Sequence, residues 1–326
     1  MALLLNPCSE VPTFDTPSGE GCVNELANEY KFSRILGKGE EGGIVFEVIK
    51  DQHVMAVKVR DFDEASIKEV ETQCMLNSMR NKTGVFAKAY GWQVCDELPS
   101  QWSRYLPNTI DIDDPLFIFM EKTIKEWKDV NLEPEEYKAI LFLLIHGLYV
   151  ARKAFGFSHD DIHTENVMLQ PASGTVSVQI ENGPSFAIPG LRFVPKLIDF
   201  GLSLTGKEEE EDSEEEDGLF ASGPTPSTDM GSIALIYSGK FKSFFDSREF
   251  AIARQSGQTD YGALETLLRM DLFKEYRTDD KENTLRCSVC SAEHSGMRWK
   301  GKGEDYVFCS VSCGNYWGRG IGKFIK

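Results

Sequence analysis

The sequence predicts an α+β protein whose strands come first and whose helices follow, with a small cysteine-bearing module at the end. Three observations carry that reading. The stretch FSRILGKGEEGGIVFEVIKDQHVMAVKV, from Phe32 onward, places alternating apolar residues on either side of a glycine-rich turn, the pattern of half-buried strands. The run AILFLLIHGLYVA, Ala139 to Ala151, is apolar nearly all round, as in a helix buried at the centre of a domain. Four cysteines, Cys287, Cys290, Cys309 and Cys313, fall in two close pairs near the carboxyl end. A chain of 326 residues has room for one two-lobed domain with an appendage, or for two domains of ordinary size.

Taken in order, residues 1–26 carry Pro and Gly among polar residues and are expected to form a flexible lead. Ile44 to Val48 and Met55 to Val59 alternate as two strands joined by a turn at Lys50 to His53. Glu64 to Met79 follows as a helix and PLFIFMEK as a buried strand. Pro134 opens a helix from about Glu135 to Ala154, since proline suits a first turn. VMLQ and PKLIDFG are strand-like pieces separated by a long excursion, Pro171 to Pro195. An acidic tract and GLFASGPTPSTD make a second loop, Met230 to Tyr237 a helix, and Ser247 to Tyr276 a weaker helical pattern. RTDDKENT is the linker into the cysteines.

The net charge of -17 is concentrated: nine of the ten residues from Glu208 to Asp217 are acidic. The rest is moderately acidic and poorly suited to general nucleic-acid binding. MALLLNPCSE has a four-residue apolar run and no basic lead-in, unlike a secretory signal. Ala139 to Ala151 is too short to span a bilayer and contains His146. A soluble, intracellular protein, cytoplasmic or nuclear and not membrane-bound, is expected. Cys8, Cys22, Cys74 and Cys95 are scattered, whereas the terminal pairs suggest metal before disulfide.

Phosphoryl transfer needs a cradle for phosphates, a cation on them, magnesium ligands and a carboxylate that orients the attacking hydroxyl. GKGEEGG supplies Gly37, Gly39 and Gly42 between two strands, where backbone amides can approach phosphate oxygens. Lys58 lies on the next strand, on the face opposite Val57 and Val59, and Glu69 on the following helix is its natural partner. HDDIHTEN places Asp161 and Asn166 five residues apart, the first to orient the acceptor hydroxyl and the second to turn back onto a metal. Downstream, LIDFG contributes Asp199, which would bridge metal and phosphates.

In that order these motifs resemble the eukaryotic protein-kinase superfamily, from about Phe32 to Tyr237. The resemblance implies a bilobal kinase-like domain over 27–280, with a β-rich first lobe, a truncated helical second lobe, ATP in the cleft and magnesium beside it. Gly37, Gly39 and Gly42 resemble the phosphate lid, Lys58 and Glu69 the lysine and its helix partner, and Asp161 the catalytic aspartate, base or orienter of the acceptor hydroxyl. Asn166 and Asp199 resemble the magnesium ligands, Met120 and Glu121 the gatekeeper and first hinge residue, and Asp229 the buried aspartate of the central helix. Together with the terminal cysteines, the pattern is also similar to kinase-like proteins of large DNA viruses, which would place it in a host cell.

Three departures qualify the match. Asp160 stands where many members carry an arginine for an activation-segment phosphate, and a carboxylate there repels phosphate. His163 replaces the usual lysine, as in haspin-like kinases and small-molecule phosphotransferases. No APE motif follows the acidic insertion, 207–218, and about 50 residues remain before the cysteines, so the peptide platform is reduced. The leading reading is a Ser/Thr protein kinase; a pseudokinase scaffold and a small-molecule kinase are the alternatives. The tract is either a solvated loop or a device that draws basic protein substrates, with Ser213 as a phosphorylation point.

Cys287, Cys290, Cys309 and Cys313 follow CxxC, eighteen residues, then CxxxC, a spacing that closes a tetrahedral zinc site. VFCSVSC resembles the FCS or MYM type of treble-clef finger, which implies a protein partner or, less often, a nucleic acid. A segment as short as 284–326 is near the lower limit for folding without a metal or disulfide, and structural zinc contributes roughly 10 to 16 kcal/mol. Chelation is therefore expected to abolish amide protection over 284–326 and to release zinc measurable by atomic absorption; retained protection in the metal-free protein would sink the assignment.

Overall fold

The computed structural model describes residues 22–38, 43–105, 114–172, 174–181, 183–206, 228–237, 240–255 and 261–278. It also describes isolated positions near the start, position 112, and strand pieces between 285 and 308. The chain divides into two compact units, 1–276 and 277–326.

The first unit begins with a five-stranded antiparallel sheet. Its strands are β1 (Lys31–Lys38), β2 (Ile44–Lys50), β3 (His53–Asp61), β4 (Ala89–Val94) and β5 (Pro115–Glu121), in the order β1-β2-β3-β5-β4. Asp51 and Gln52 both take left-handed conformations, φ 49° and 69°, the geometry of a two-residue hairpin loop. Successive side chains of a strand face opposite ways, and both long strands use this. On β3, Met55, Val57 and Val59 join Phe46, Phe117, Phe119 and Trp102 on one face. Ala56 points the other way, with Leu116, Ile118 and Met120, towards Val70 and Cys74. Val70 and Cys74 belong to α2 (Glu64–Asn77), which starts where Asp63 and Ser66 form a reciprocal capping box.

The sheet's other face is covered by a helix absent from the expected flexible lead. Cys22–Glu29 is α1, and its Leu26 is fully buried with Tyr30 and Trp102. The scattered cysteines also pair, Cys8 with Cys74 and Cys22 with Cys95. These cross-links tie the start of the chain to α2 and to the end of β4. They could not be read from the sequence because each joins residues more than 60 positions apart.

After the short helix α3 (Ser100–Ser103) the chain reaches its helical part, built around α4 (Pro134–Phe155). Glu133 and Glu136 cap its start, Pro134 occupies its first turn, and Gly156 ends it at φ 65°. A Cβ at Gly156 would lie 2.9 Å from the backbone nitrogen of Gly206, so that stop requires glycine both for its conformation and for its space. A small sheet, in the order β10-β7-β6, lies beside α4: β6 is Lys125–Glu126, β7 Val167–Pro171 and β10 Phe193–Leu197.

The excursion between β7 and β10, expected to be irregular, is partly ordered into strands. It contains a hairpin, β8 (Val176–Gln179) with β9 (Ser185–Ile188), whose Val178, Phe186 and Ile188 are buried. Phe186 packs 4.8 Å from Phe142 of α4, centroid to centroid. Helices α5 (Thr228–Ile236), α6 (Lys242–Phe245), α7 (Arg248–Gln255) and α8 (Tyr261–Leu268) complete the unit with a 3-10 turn, Asp271–Tyr276. No helix among the described residues is long and apolar enough to cross a membrane.

The second unit is described by two hairpins, β11 (Leu285–Arg286) with β12 (Glu293–His294) and β13 (Met297–Gly301) with β14 (Glu304–Phe308). His294 pairs with Leu285 across the first of these hairpins. Cys287, Cys290, Cys309 and Cys313 lie outside the described residues, as does the acidic insertion.

Inside α4, His146 has no exposed surface, and burial pushes its imidazole from 6.5 down to about 4. The unfolded chain takes up this proton near pH 6.5 and the folded one only near 4, so acid favours unfolding across that window. His146→Leu is expected to remove that part of the acid sensitivity, on the order of 3 kcal/mol by pH 4, in denaturant titrations run from pH 7 to 4.

Candidate active site

The side chains singled out by motif converge where β3, α2 and the segment after β10 meet. Lys58 pairs with Val45 on one side and Ile118 on the other, and the alternation of β3 turns it towards α2 with Ala56. Its Nζ lies 2.7 Å from Glu69 Oε1 and 2.8 Å from Asp199 Oδ1. Glu69 is 1% exposed, whereas Glu71, on another side of the same helix, faces solvent. Burial alone would lower the Lys58 ammonium's pKa, but the Glu69 and Asp199 carboxylates outweigh it and hold it above the ordinary value. Burial works the opposite way on Asp199, and Lys58 again prevails, holding the carboxyl below its usual range.

Residues of the HDDIHTEN loop form the second cluster. Asn166 turns its amide back to donate to Asp161 twice, 2.8 Å to Oδ2 and 3.0 Å to the backbone oxygen. This leaves the Asn166 side-chain oxygen as the donor atom for a cation. Asn166 O accepts the backbone N–H of Ile198 at 3.1 Å, which sets the residue before Asp199 beside the loop. His163 Nε2 stands 3.5 Å from Asp161 Oδ2, both side chains partly exposed. His159 is buried, with its Nε2 3.0 Å from Ile198 O and its ring against Phe200 at 5.3 Å.

Beneath the loop lies Asp229, fully buried on α5. Its Oδ2 accepts the backbone N–H of His159 at 3.0 Å and its Oδ1 that of Asp160 at 2.8 Å. Arg152, buried on α4, brings Nη2 to 3.6 Å from Oδ2. The Asp160 carboxylate is 2.7 Å from the Ser158 hydroxyl. Asp160 and Asp199 both adopt left-handed backbones, φ 58° and 61°, conformations that cost a non-glycine residue roughly 1 to 2 kcal/mol.

On the sheet side, Gly37 lies in β1, and Gly43 is buried where an added Cβ would meet Lys58 Cε at 3.6 Å. Gly39 and Gly42 lie outside the described residues. Met120 pairs with Ala56 across the sheet and packs in the cluster that Val45 flanks. Glu121, next along, is 3.0 Å from the buried Lys196 and 3.6 Å from Arg80. Three charged residues here escaped the motif reading: Arg60, whose Nη1 is 3.1 Å from Glu69 Oε2, Lys196 and Arg152. Arg60 was within reach of sequence reasoning, since two residues along a strand returns to the same face.

Comparison with known proteins gives short matches. Over 85 residues, 26% of the chain, it is 31% identical to a probable kinase of Invertebrate iridescent virus 3, spanning 15% of that protein. Over 90 residues, 25% of the chain, it is 38% identical to a probable serine/threonine-protein kinase of Dictyostelium discoideum, spanning 7% of that protein. The chain is distantly related to protein kinases. A solved kinase domain aligns with 59% of the chain and 54% of its own length, at 17% identity and a TM-score of 0.37. No protein-family model matches the chain.

Asp229→Ala leaves two backbone donors and Arg152 facing a void, and is expected to cost about 3 to 5 kcal/mol. Asp229→Asn, which keeps one accepting oxygen, should cost less. Equilibrium unfolding in guanidinium orders the two variants, and an Asp229→Ala midpoint equal to wild type would remove Asp229 as the anchor of this loop.

Proposed function

We propose that the chain is a phosphotransferase that moves the ATP γ-phosphate to a hydroxyl with magnesium, most naturally a Ser/Thr side chain of a protein. The observation that carries the proposal is the approach of Lys58 to both Glu69 and Asp199, 2.7 and 2.8 Å, beside a loop in which Asn166 is folded back on Asp161 at 2.8 Å. Kinship with two probable kinases supports the same chemistry. It extends to a quarter of the chain, so substrate and partners are read from residues rather than from those relatives.

Among the described residues, no three His, Cys, Asp or Glu side chains cluster as a metal cage. Magnesium does not need one, because it takes one or two protein oxygens and fills the rest of its shell with water and phosphate. Asn166 and Asp199 supply oxygen of that kind, and magnesium bound there would neutralise charge on the transferring phosphates. Lys58 provides the ammonium for the phosphates, and Glu69 keeps it extended. Asp161 accepts a hydrogen bond from the acceptor hydroxyl and holds it in line, its carboxylate fixed by the Asn166 amide. Gly37 and the glycines after it would close over the phosphates, with Met120 and Glu121 at the nucleotide's base. The terminal cysteines enter as a structural zinc site on their spacing alone, with a protein as the finger's partner.

His163 favours a second reading. A partly exposed imidazole 3.5 Å from Asp161 offers an acceptor a hydrogen bond where a lysine would offer a fixed charge, which suits a small alcohol or sugar. Radiolabelled ATP supplied with basic proteins in one arm and small alcohols and sugars in the other is expected to label protein serine or threonine. Asp161→Asn should cut turnover by roughly 10² to 10⁴ with ATP binding retained. Near-normal turnover in that variant would refute the assignment.

A further inference from the structure

Arg60 takes no part in the chemistry just described, yet it sits inside the same cluster. It follows Lys58 by two residues on β3 and so shares its face, with a side chain only 7% exposed. Its Nη1 is 3.1 Å from Glu69 Oε2, the carboxylate oxygen that Lys58 does not use, and its Nη2 is 3.7 Å from Asp63, the residue that caps α2. A Cβ built on Gly201 would lie 3.8 Å from Arg60 Nη1 and 3.6 Å from Asp199 Oδ1. The guanidinium therefore sits where β3, α2 and the turn after Asp199 meet.

We infer that Arg60 is a positioning residue that holds Glu69, and with it α2, against β3 while Lys58 is engaged elsewhere. The argument is one of charge. Glu69 is 1% exposed, and a buried carboxylate is tolerated only when paired. Lys58 is already shared with Asp199, and in the phosphotransfer reading, on which this inference rests, it must also serve the phosphates. A single ammonium divided three ways leaves Glu69 short of a partner whenever the lysine leans towards its ligand. Arg60 fills that deficit: its guanidinium presents several donors in a rigid plane. It holds the second oxygen and the helix start together, so the carboxylate stays in place as Lys58 exchanges partners.

The test uses the full chain with Arg60→Met, Arg60→Lys, Glu69→Gln and the double variant Arg60→Met/Glu69→Gln. In steady-state assays with magnesium and ATP, Arg60→Met is expected to lower kcat/KM about 10- to 100-fold, with partial recovery in Arg60→Lys. In the Glu69→Gln background Arg60→Met should cost little more, because the two act through one contact. Wild-type kinetics in Arg60→Met, or losses that multiply fully in the double variant, would overturn the inference. Hydrogen exchange gives a readout that needs no turnover. Arg60→Met should speed exchange over 64–77 and leave 134–155 unchanged. Unchanged exchange over 64–77 rejects the role of Arg60, whereas faster exchange in a protein whose wild type consumes no ATP rejects only the phosphotransfer reading. If Arg60→Met does not fold, Arg60→Lys is read in both assays, with wild-type values in each counting against the proposal.

Discussion

The carboxylate of Glu69 is the point on which the site's geometry turns. It is buried on α2, between a lysine and an arginine that project from the same face of β3. Removing such a group from water costs several kcal/mol unless its charge is matched, so helix and strand are committed to one relative placement. The alternation of β3 delivers both cations to that face only because its other face is filled by Met55, Val57 and Val59. A one-residue slip of register would send both cations into the opposite apolar cluster. Packing and electrostatics thus select the same register.

The helical part repeats the device with a different set of donors. Asp229 is a buried acid that accepts two consecutive backbone N–H groups, and these fix the direction in which the loop leaves His159. From there the chain runs to Asp161 and Asn166, and the hydrogen bond from Ile198 to Asn166 returns it to Asp199. Asp199 contacts Lys58, which contacts Glu69. The two buried acids are thereby joined through a short run of polar contacts, and the site's shape is a property of that run more than of any one residue.

What could be read in the sequence follows from how far each interaction reaches. Lys58, Glu69, Asp161, Asn166 and Asp199 were visible because each lies in a local pattern, a strand, a helix or a turn, whose spacing restricts where its side chain can go. The central helix was visible because its apolar run is continuous. The hairpin of β8 and β9 was obscured by the glycines and prolines around it, although TVSVQI and SFAI alternate as strands do. Helix α1 was missed because its eight residues are held by Cys95, Trp102 and the sheet, contacts made by residues far along the chain. Lys196 and Arg152 were missed for the same reason, since nothing near them in sequence names Glu121 or Asp229 as partner. Gly39, Gly42 and the terminal cysteines were singled out by spacing and lie outside the described residues.

The left-handed backbones of Asp160 and Asp199 lie beside the candidate site, whereas those of Asp51 and Gln52 belong to a hairpin loop. At both positions glycine would relax the chain, and at neither would it carry a carboxylate. Selection for thermal stability alone would therefore press on two residues of the candidate site, and a consensus or design procedure that rewards relaxed backbones would erase Asp199 while improving the fold. Any attempt to harden this protein has to leave those two turns strained and find its gains elsewhere, in the helical core or on the outer face of the sheet.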